Sequence, residues 1–289
     1  MSPALTHRPV EDATSLGAAL AWAVDALAET SDSPRLDAEL LLAHATGVAR
    51  STLRAFGERP IAAAERDAFE ALIQRRRDAV PVAYLLGRRE FHAITLEVGP
   101  EVLVPRPETE LIVDAALERL PAEASAAVLD LGTGSGAIAL AIKHARPRVR
   151  LAACDVSPAA LDLARRNAAR LGLAIEWTLS DWFDAFAARR FDLIVANPPY
   201  VASADAALAG PLRHEPRGAL DGGPDGLAAI RRIVADARTY LSAGATLLVE
   251  HGDTQAAAAR ALAGECGYHS VATLTDLAGR ERVLVASAP

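Results

Sequence analysis

The residues best equipped for chemistry are Asn197-Pro198-Pro199-Tyr200, which close the apolar run Phe191 to Ala196. A buried strand that meets an Asn followed by two prolines can neither continue as sheet nor turn into helix. The first proline pushes Asn197 towards extended geometry, and neither proline carries an N–H. What results is a stiff corner that holds an amide side chain, free carbonyl oxygens and an aromatic ring close together. Such a corner suits a planar –NH2 group, with two acceptors for its hydrogens and a ring for its flat face. Asn197, Pro198 and Tyr200 are the candidate catalytic residues. The candidate substrate-binding surface is Asn197, Pro198, Pro199 and Tyr200. The bland alternative is a proline-rich turn leaving a strand.

A second constellation is Val128-Leu-Asp-Leu-Gly132-Thr133-Gly134-Ser135-Gly136, an apolar strand running into a glycine-rich turn ahead of the stretch Ala137 to His144. Glycines let the backbone bend and approach a ligand closely, and a helix start offers free N–H groups. Gly132, Gly134 and Ala137 also satisfy the dinucleotide fingerprint, so the loop alone fits either a nicotinamide cofactor or S-adenosylmethionine. Asp155, ending the next strand, could accept ribose hydroxyls in both cases. Two features favour S-adenosylmethionine. Asp181 and Trp182 follow the third strand, where an acidic acceptor and an indole suit an adenine. Asn197 follows the fourth, so these loops converge beyond the carboxyl ends of the strands.

The bulk properties narrow the class. With 289 residues, about half of them hydrophobic, the chain can bury a sizeable core. The start, Met1 to Asp12, lacks the charged-then-apolar pattern of a signal sequence, and no apolar stretch is long enough for a bilayer, so a cytoplasmic protein without membrane association is expected. Cys154 and Cys266 are too few for a disulfide framework or a metal cluster, and no metal site is expected. A net charge of −7 argues against a broad nucleic-acid footprint. The chain is expected to act as a monomer.

Helical spacing dominates up to about residue 80. Leu16, Leu20, Ala23 and Leu27 keep helical spacing, as do Leu36, Leu40 and Leu41 with Ala45 before Gly47, and Ser33-Pro34 reads as the start of that second helix. Glu65 to Arg77 forms a further helix, whose Arg75-Arg76-Arg77 complements the helix dipole. Short strands follow, Phe91 to Val98 and Val102 to Val104, split by Gly99-Pro100 and read as a hairpin. From Glu108, helices alternate with strands at 128–131, 150–154, 174–179, 191–196 and 245–250, a βαβ series and so a mostly parallel sheet. Val271 to Leu274 and Val283 to Ala286 are too close in sequence for a crossover helix and pair as an antiparallel hairpin. The domain reading is a helical docking domain at 1–80, a β-hairpin linker at 81–106 and a catalytic domain at 107–289.

Taken together, the chain from about Arg75 resembles the protein-(glutamine-N5) methyltransferases of translation release factors, the HemK/PrmC family. The resemblance rests on Pro81-Val-Ala-Tyr84-Leu-Leu-Gly87, Val104-Pro-Arg-Pro-Glu-Thr-Glu110, Asp130 to Gly136, Ser180-Asp-Trp-Phe183, Asn197 to Val201, Glu215-Pro216, Asp221-Gly-Gly-Pro-Asp-Gly-Leu227 and Asp276-Leu-Ala-Gly279. The glycine loop and Asn-Pro-Pro-Tyr are shared with many methyltransferases, whereas the Pro-Arg-Pro-Glu-Thr-Glu segment and the Asp-Gly-Gly-x-Asp-Gly-Leu loop are far more specific. Ala93 departs from the glycine that relatives often carry.

The resemblance implies a Rossmann-like methyltransferase domain of seven strands with a small all-helical N-terminal domain. It implies S-adenosyl-L-methionine as donor, S-adenosyl-L-homocysteine as product, and a glutamine in a Gly-Gly-Gln loop of release factors as acceptor. Gly132, Thr133, Gly134, Ser135, Gly136, Asp155, Asp181, Trp182 and Asn197 are then the cofactor set. Glu108 and Glu110 read as helix-start chemistry and not as catalysts, with their segment a wall of the pocket. Residues 203–226 form a long loop able to wall an extended peptide. The alternatives are a glutamine methyltransferase of a ribosomal protein and, further off, an adenine-N6 methyltransferase, which would want a basic groove. A dehydrogenase would leave the Asn-Pro-Pro-Tyr corner unexplained, and a non-catalytic scaffold both motifs.

Overall fold

The computed structural model describes residues 14–123 and 125–289. The reading of Met1 to Asp12 lies outside them. The chain divides into two compact units, Met1–Gly87 and Arg88–Pro289.

The first unit contains α1 (Leu16–Leu27), α2 (Pro34–Thr46), α3 (Arg50–Ala55), α4 (Ala63–Arg77) and α5 (Val82–Leu86). Ser15 caps α1 by accepting the Ala18 N–H at 3.3 Å, and Gly47 ends α2 in the left-handed conformation. The α1 stripe is buried as its spacing requires, against Leu41, Leu42, Phe69 and Ile73. The helix expected from the spacing of Leu36, Leu40, Leu41 and Ala45 is α2, and its buried face is a separate matter. Leu36 is exposed and Leu40 half-buried, while Asp37, Ala38, Glu39, Leu41 and Leu42 face inward. Charge pairing explains the turn of the helix. Glu39 is held by Arg35, Arg50 and Arg54, and hydrogen bonding from Arg54 leads in drawing its carboxyl down to about 2. Arg76 reaches Asp37 at 2.7 Å, so it does more than complement a dipole.

The second unit opens with a hairpin of β1 (Arg88–Phe91) and β2 (Ile94–Glu97). The expected hairpin, turning at Gly99-Pro100, is wrong in register: the turn is at His92-Ala93, and residues 102–104 form no strand. Two contacts set this. His92, at φ 49°, donates its N–H to Glu110 Oε1 at 3.0 Å, which pins the turn. The Asn167 side chain takes both backbone groups of Glu97, ending the ladder there.

Seven strands follow: β3 (Ala127–Leu131), β4 (Arg150–Asp155), β5 (Glu176–Leu179), β6 (Phe191–Ala196), β7 (Leu241–Glu250), β8 (His269–Thr275) and β9 (Glu281–Ser287). They lie in the order β5-β4-β3-β6-β7-β9-β8. The first five are parallel to one another, and β9 runs antiparallel to β7 and β8. The intervening helices are α6 (Glu110–Arg119), α7 (Ala137–Ala145), α8 (Pro158–Leu171), α9 (Ala228–Tyr240) and α10 (Ala256–Glu265). This is the mostly parallel, Rossmann-like sheet with an antiparallel end. Chain order reverses between β3 and β6, so a crevice opens beyond their carboxyl ends, where such folds place ligands. Leu129, Leu131, Phe191, Ile194, Leu247, Val249 and Leu284 fill the core beneath.

Candidate active site

The loop after β3 turns through Gly132 and Gly134 at positive φ (67° and 55°), which a side chain resists. It is tied down on both sides. The Thr133 N–H donates to Cys154 O at 2.9 Å, and its hydroxyl donates to Asp130 Oδ2 at 2.6 Å. Asp130 is 1% exposed, and burial pushes its carboxyl up to about 7. Asp155 accepts the Gly134 N–H on one oxygen and the Ser157 N–H on the other, both at 2.9 Å. Burial raises its pKa as well. Cys154 is buried with its thiol pushed up to about 12, a core residue and no nucleophile.

Gly132, Thr133, Gly134, Ser135, Asp155, Asp181, Trp182 and Asn197 line one cavity of about 230 Å³. Gly136 does not. A Cβ there would lie 2.9 Å from Leu140 and 3.2 Å from Trp177, so this glycine serves close packing under α7. A Cβ on Gly134 would meet nothing within 4 Å, so the loop backbone faces open space. The Asp155 oxygens each keep a lone pair beyond their N–H bonds. Asp181 pairs with Arg232 at 2.7 Å through one oxygen only. Glycine backbone, two carboxylates and an indole around an enclosed space fit a nucleoside carrying an amino-acid tail. Other parts of the wall come from Glu101 to Leu103, Pro105, Thr109, Pro216, Gly218 and Ala219. Pro105 and the long loop are legible in the sequence as walls of the pocket, whereas Glu101 to Leu103 carry no such signal.

Asn197 and Pro199 reach the same cavity at the end of β6; Pro198 and Tyr200 do not line it. Asn197 donates from Nδ2 to Thr109 Oγ1 at 3.0 Å, which leaves Oδ1 as an acceptor. Tyr200 is half-buried against the core and donates its hydroxyl to Glu250 Oε1 at 3.1 Å. Glu250, at the end of β7, is 1% exposed, and burial pushes it up to about 7. Burial and the Glu250 charge raise the Tyr200 phenol too.

The Asp221 to Leu227 loop clamps this corner by backbone pairing. Val201 donates to Leu220 O at 2.9 Å and accepts from Gly222 N at 2.8 Å, while Gln255 Nε2 donates to Tyr200 O at 3.0 Å. A Cβ on Gly226 would overlap the Tyr200 carbonyl oxygen, and one on Gly222 would lie 2.6 Å from that of Pro199. Buried Glu215 accepts the Val104 N–H at 3.0 Å and pairs with Arg106, joining the long loop to the segment that carries Thr109. Thr109, Glu250 and Gln255 escaped the sequence reading. Only Glu250, ending an apolar strand on the ligand side of the sheet, left a usable signal.

Fold and cavity together define a Rossmann-like, S-adenosylmethionine-dependent methyltransferase. Residues 18–87 match the family described as PrmC N-terminal domain, and residues 111–215 the Methyltransferase small domain. A release factor glutamine methyltransferase of Xylella fastidiosa is 47% identical over 91% of this chain and 96% of its own. One of Escherichia coli is 44% identical with the same coverage. A T. thermophilus 16S rRNA N2 G1207 methyltransferase, solved with AdoMet and guanosine, shares the fold at TM-score 0.54 and 21% identity, covering 70% of this chain and 50% of that one. The chain belongs to the release factor glutamine methyltransferase family.

Proposed function

We propose that this enzyme methylates the side-chain amide nitrogen of the glutamine in the Gly-Gly-Gln loop of translation release factors. When bound, S-adenosylmethionine supplies an electrophilic methyl group on a sulfonium. Gly132, Thr133, Gly134, Ser135, Asp155, Asp181 and Trp182 hold it, with Gly136 shaping the loop from below.

The difficulty lies in the acceptor, because an amide nitrogen shares its lone pair with its carbonyl. Asn197 Oδ1 and the Pro198 backbone carbonyl accept the two amide hydrogens. Held that way, the nitrogen gives up part of its conjugation and presents a lone pair. The nitrogen–carbon bond would form as the methyl carbon–sulfur bond breaks, leaving S-adenosyl-L-homocysteine, and one amide proton would depart after transfer. Pro199 and Tyr200 shape the flat surface beside it. The observation that carries this reading is the Asn197 side chain at the cavity edge, with its nitrogen committed to Thr109 and its oxygen free to accept.

The helical unit, read at 1–80, docks the release factor, and the hairpin segment within 81–106 joins it to the catalytic domain at 107–289. The enzyme acts as a cytoplasmic monomer on a protein acceptor and needs no contact with nucleic acid. Among the described residues, no helix is long and apolar enough to cross a membrane.

The test is mass analysis of a release factor after incubation with enzyme and S-adenosylmethionine, beside a variant with Asn in place of the loop glutamine. One added methyl on the glutamine peptide, absent from the variant, is expected. Methyl addition elsewhere, or to a ribosomal protein only, would contradict the proposal.

A further inference from the structure

Glu250 has no part in the chemistry above, yet it is buried behind the corner at 1% exposure with one oxygen, Oε2, making no hydrogen bond. A buried carboxyl with an unmet acceptor is costly, and a protein retains one where its charge or polarity is used. Its surroundings show the use. Tyr200 donates to Oε1 from the loop after β6. The Thr109 hydroxyl, from the turn before α6, lies beside the carboxyl and favours its charged form. Thr109 in turn accepts the Asn197 amide.

We propose that Glu250 is a positioning residue for methyl transfer, its carboxylate orienting the Tyr200 and Thr109 hydroxyls and, through Thr109, the Asn197 amide. The direction of each bond matters. A carboxylate only accepts, so both hydroxyls point their hydrogens at it. Thr109 then offers Asn197 a lone pair and no hydrogen, and Asn197 must turn Nδ2 inward and Oδ1 to the substrate. A neutral carboxyl carries a hydrogen of its own and can donate to Thr109, which loosens that choice. This inference rests on the role assigned to Asn197.

The charged form is opposed by burial and by Glu108, and assisted by Thr109, Tyr200 and Arg282 on β9. The balance places the Glu250 transition at about 7. Transfer measured in single turnover at saturating cofactor is therefore expected to rise with pH through a limb near neutrality. Glu250→Gln, an isostere that cannot ionise, should lose that limb and run roughly 10-fold or more below wild type at pH 8, with cofactor affinity kept. Thr109→Val, which keeps the carboxylate but cuts its path to Asn197, should fall similarly, and Thr109→Ser should recover. A Glu250→Gln enzyme with the wild-type limb and rate overturns the inference. So does a Thr109→Val enzyme with wild-type turnover, however Glu250→Gln folds. Asn197→Ala separates the two levels: wild-type transfer there defeats the assigned corner itself, whereas loss there with an unaffected Glu250→Gln defeats this inference alone.

Discussion

The cofactor cavity and the Asn-Pro-Pro-Tyr corner adjoin at the ends of β3 and β6 but are built from different materials. The cavity is mostly backbone: glycines at positive φ, N–H groups fixed by Asp155, and an indole set against Gly132. The corner is two side-chain pairs, half-buried Asn197 on buried Thr109 and half-buried Tyr200 on buried Glu250. Holding a large, flat, charged ligand needs shape and a few fixed donors, which a tight loop provides cheaply. Orienting a weak nucleophile needs acceptors whose direction cannot wander, and that requires polar groups kept out of water. Each unsatisfied buried group costs about 1–3 kcal/mol, and Glu250 Oε2 is one of them. Damage to the cavity should therefore appear as lost affinity, and damage to the corner as lost turnover.

The largest effect outside the reacting residues is expected at Gly226, where the clamp meets the corner. Gly226→Ala forces a side chain into φ 73° and into the Tyr200 carbonyl. Backbone strain and overpacking together should cost roughly 2–4 kcal/mol of stability, read by denaturant unfolding, with turnover lost in step. Stability lost with full turnover would show that the clamp only supports the fold. Gly134→Ala comes next. It has room for the methyl but pays about 1–2 kcal/mol for its φ and fills ligand space, so calorimetry should find cofactor affinity down about 10-fold with turnover at saturation nearly intact. A fall in turnover alone would reverse the comparison.

The smallest effect concerns pH. Asp130 is raised in the folded state, so stability is fullest below its unfolded pKa and is lost as pH climbs through about 7. Melting temperature without cofactor should fall by a few degrees across that range, and Asp130→Asn should make the slope shallower, the remainder belonging to Glu250, which burial raises likewise. An unchanged slope would place the titration elsewhere.

Local pattern announced some of this and hid the rest for physical reasons. The glycine loop, Asp155 and the end of β6 were legible because strand, turn and helix start follow one another within a few residues. Period announced the α2 helix but not its buried face, where three arginines hold Glu39 inside and Leu36 is left exposed. It failed at the hairpin, whose turn is set by Glu110 and whose end is set by Asn167, both distant in sequence. Thr109 reads as an ordinary helix-start residue until Asn197, 88 positions on, is folded against it. The Asp221 to Leu227 loop stood out as a pattern, but its task, admitting backbone where a Cβ would collide, appears only in three dimensions.

The most direct measurement takes Asn197→Ala and compares its methyl-transfer rate on a Gly-Gly-Gln substrate with its affinity for S-adenosylmethionine. Removing one acceptor of the reacting amide should lower the rate by about 10²–10³-fold and leave affinity within a few-fold of wild type. Equal losses in both, or a rate close to wild type, would contradict the division between a cavity that holds the donor and a corner that orients the amide.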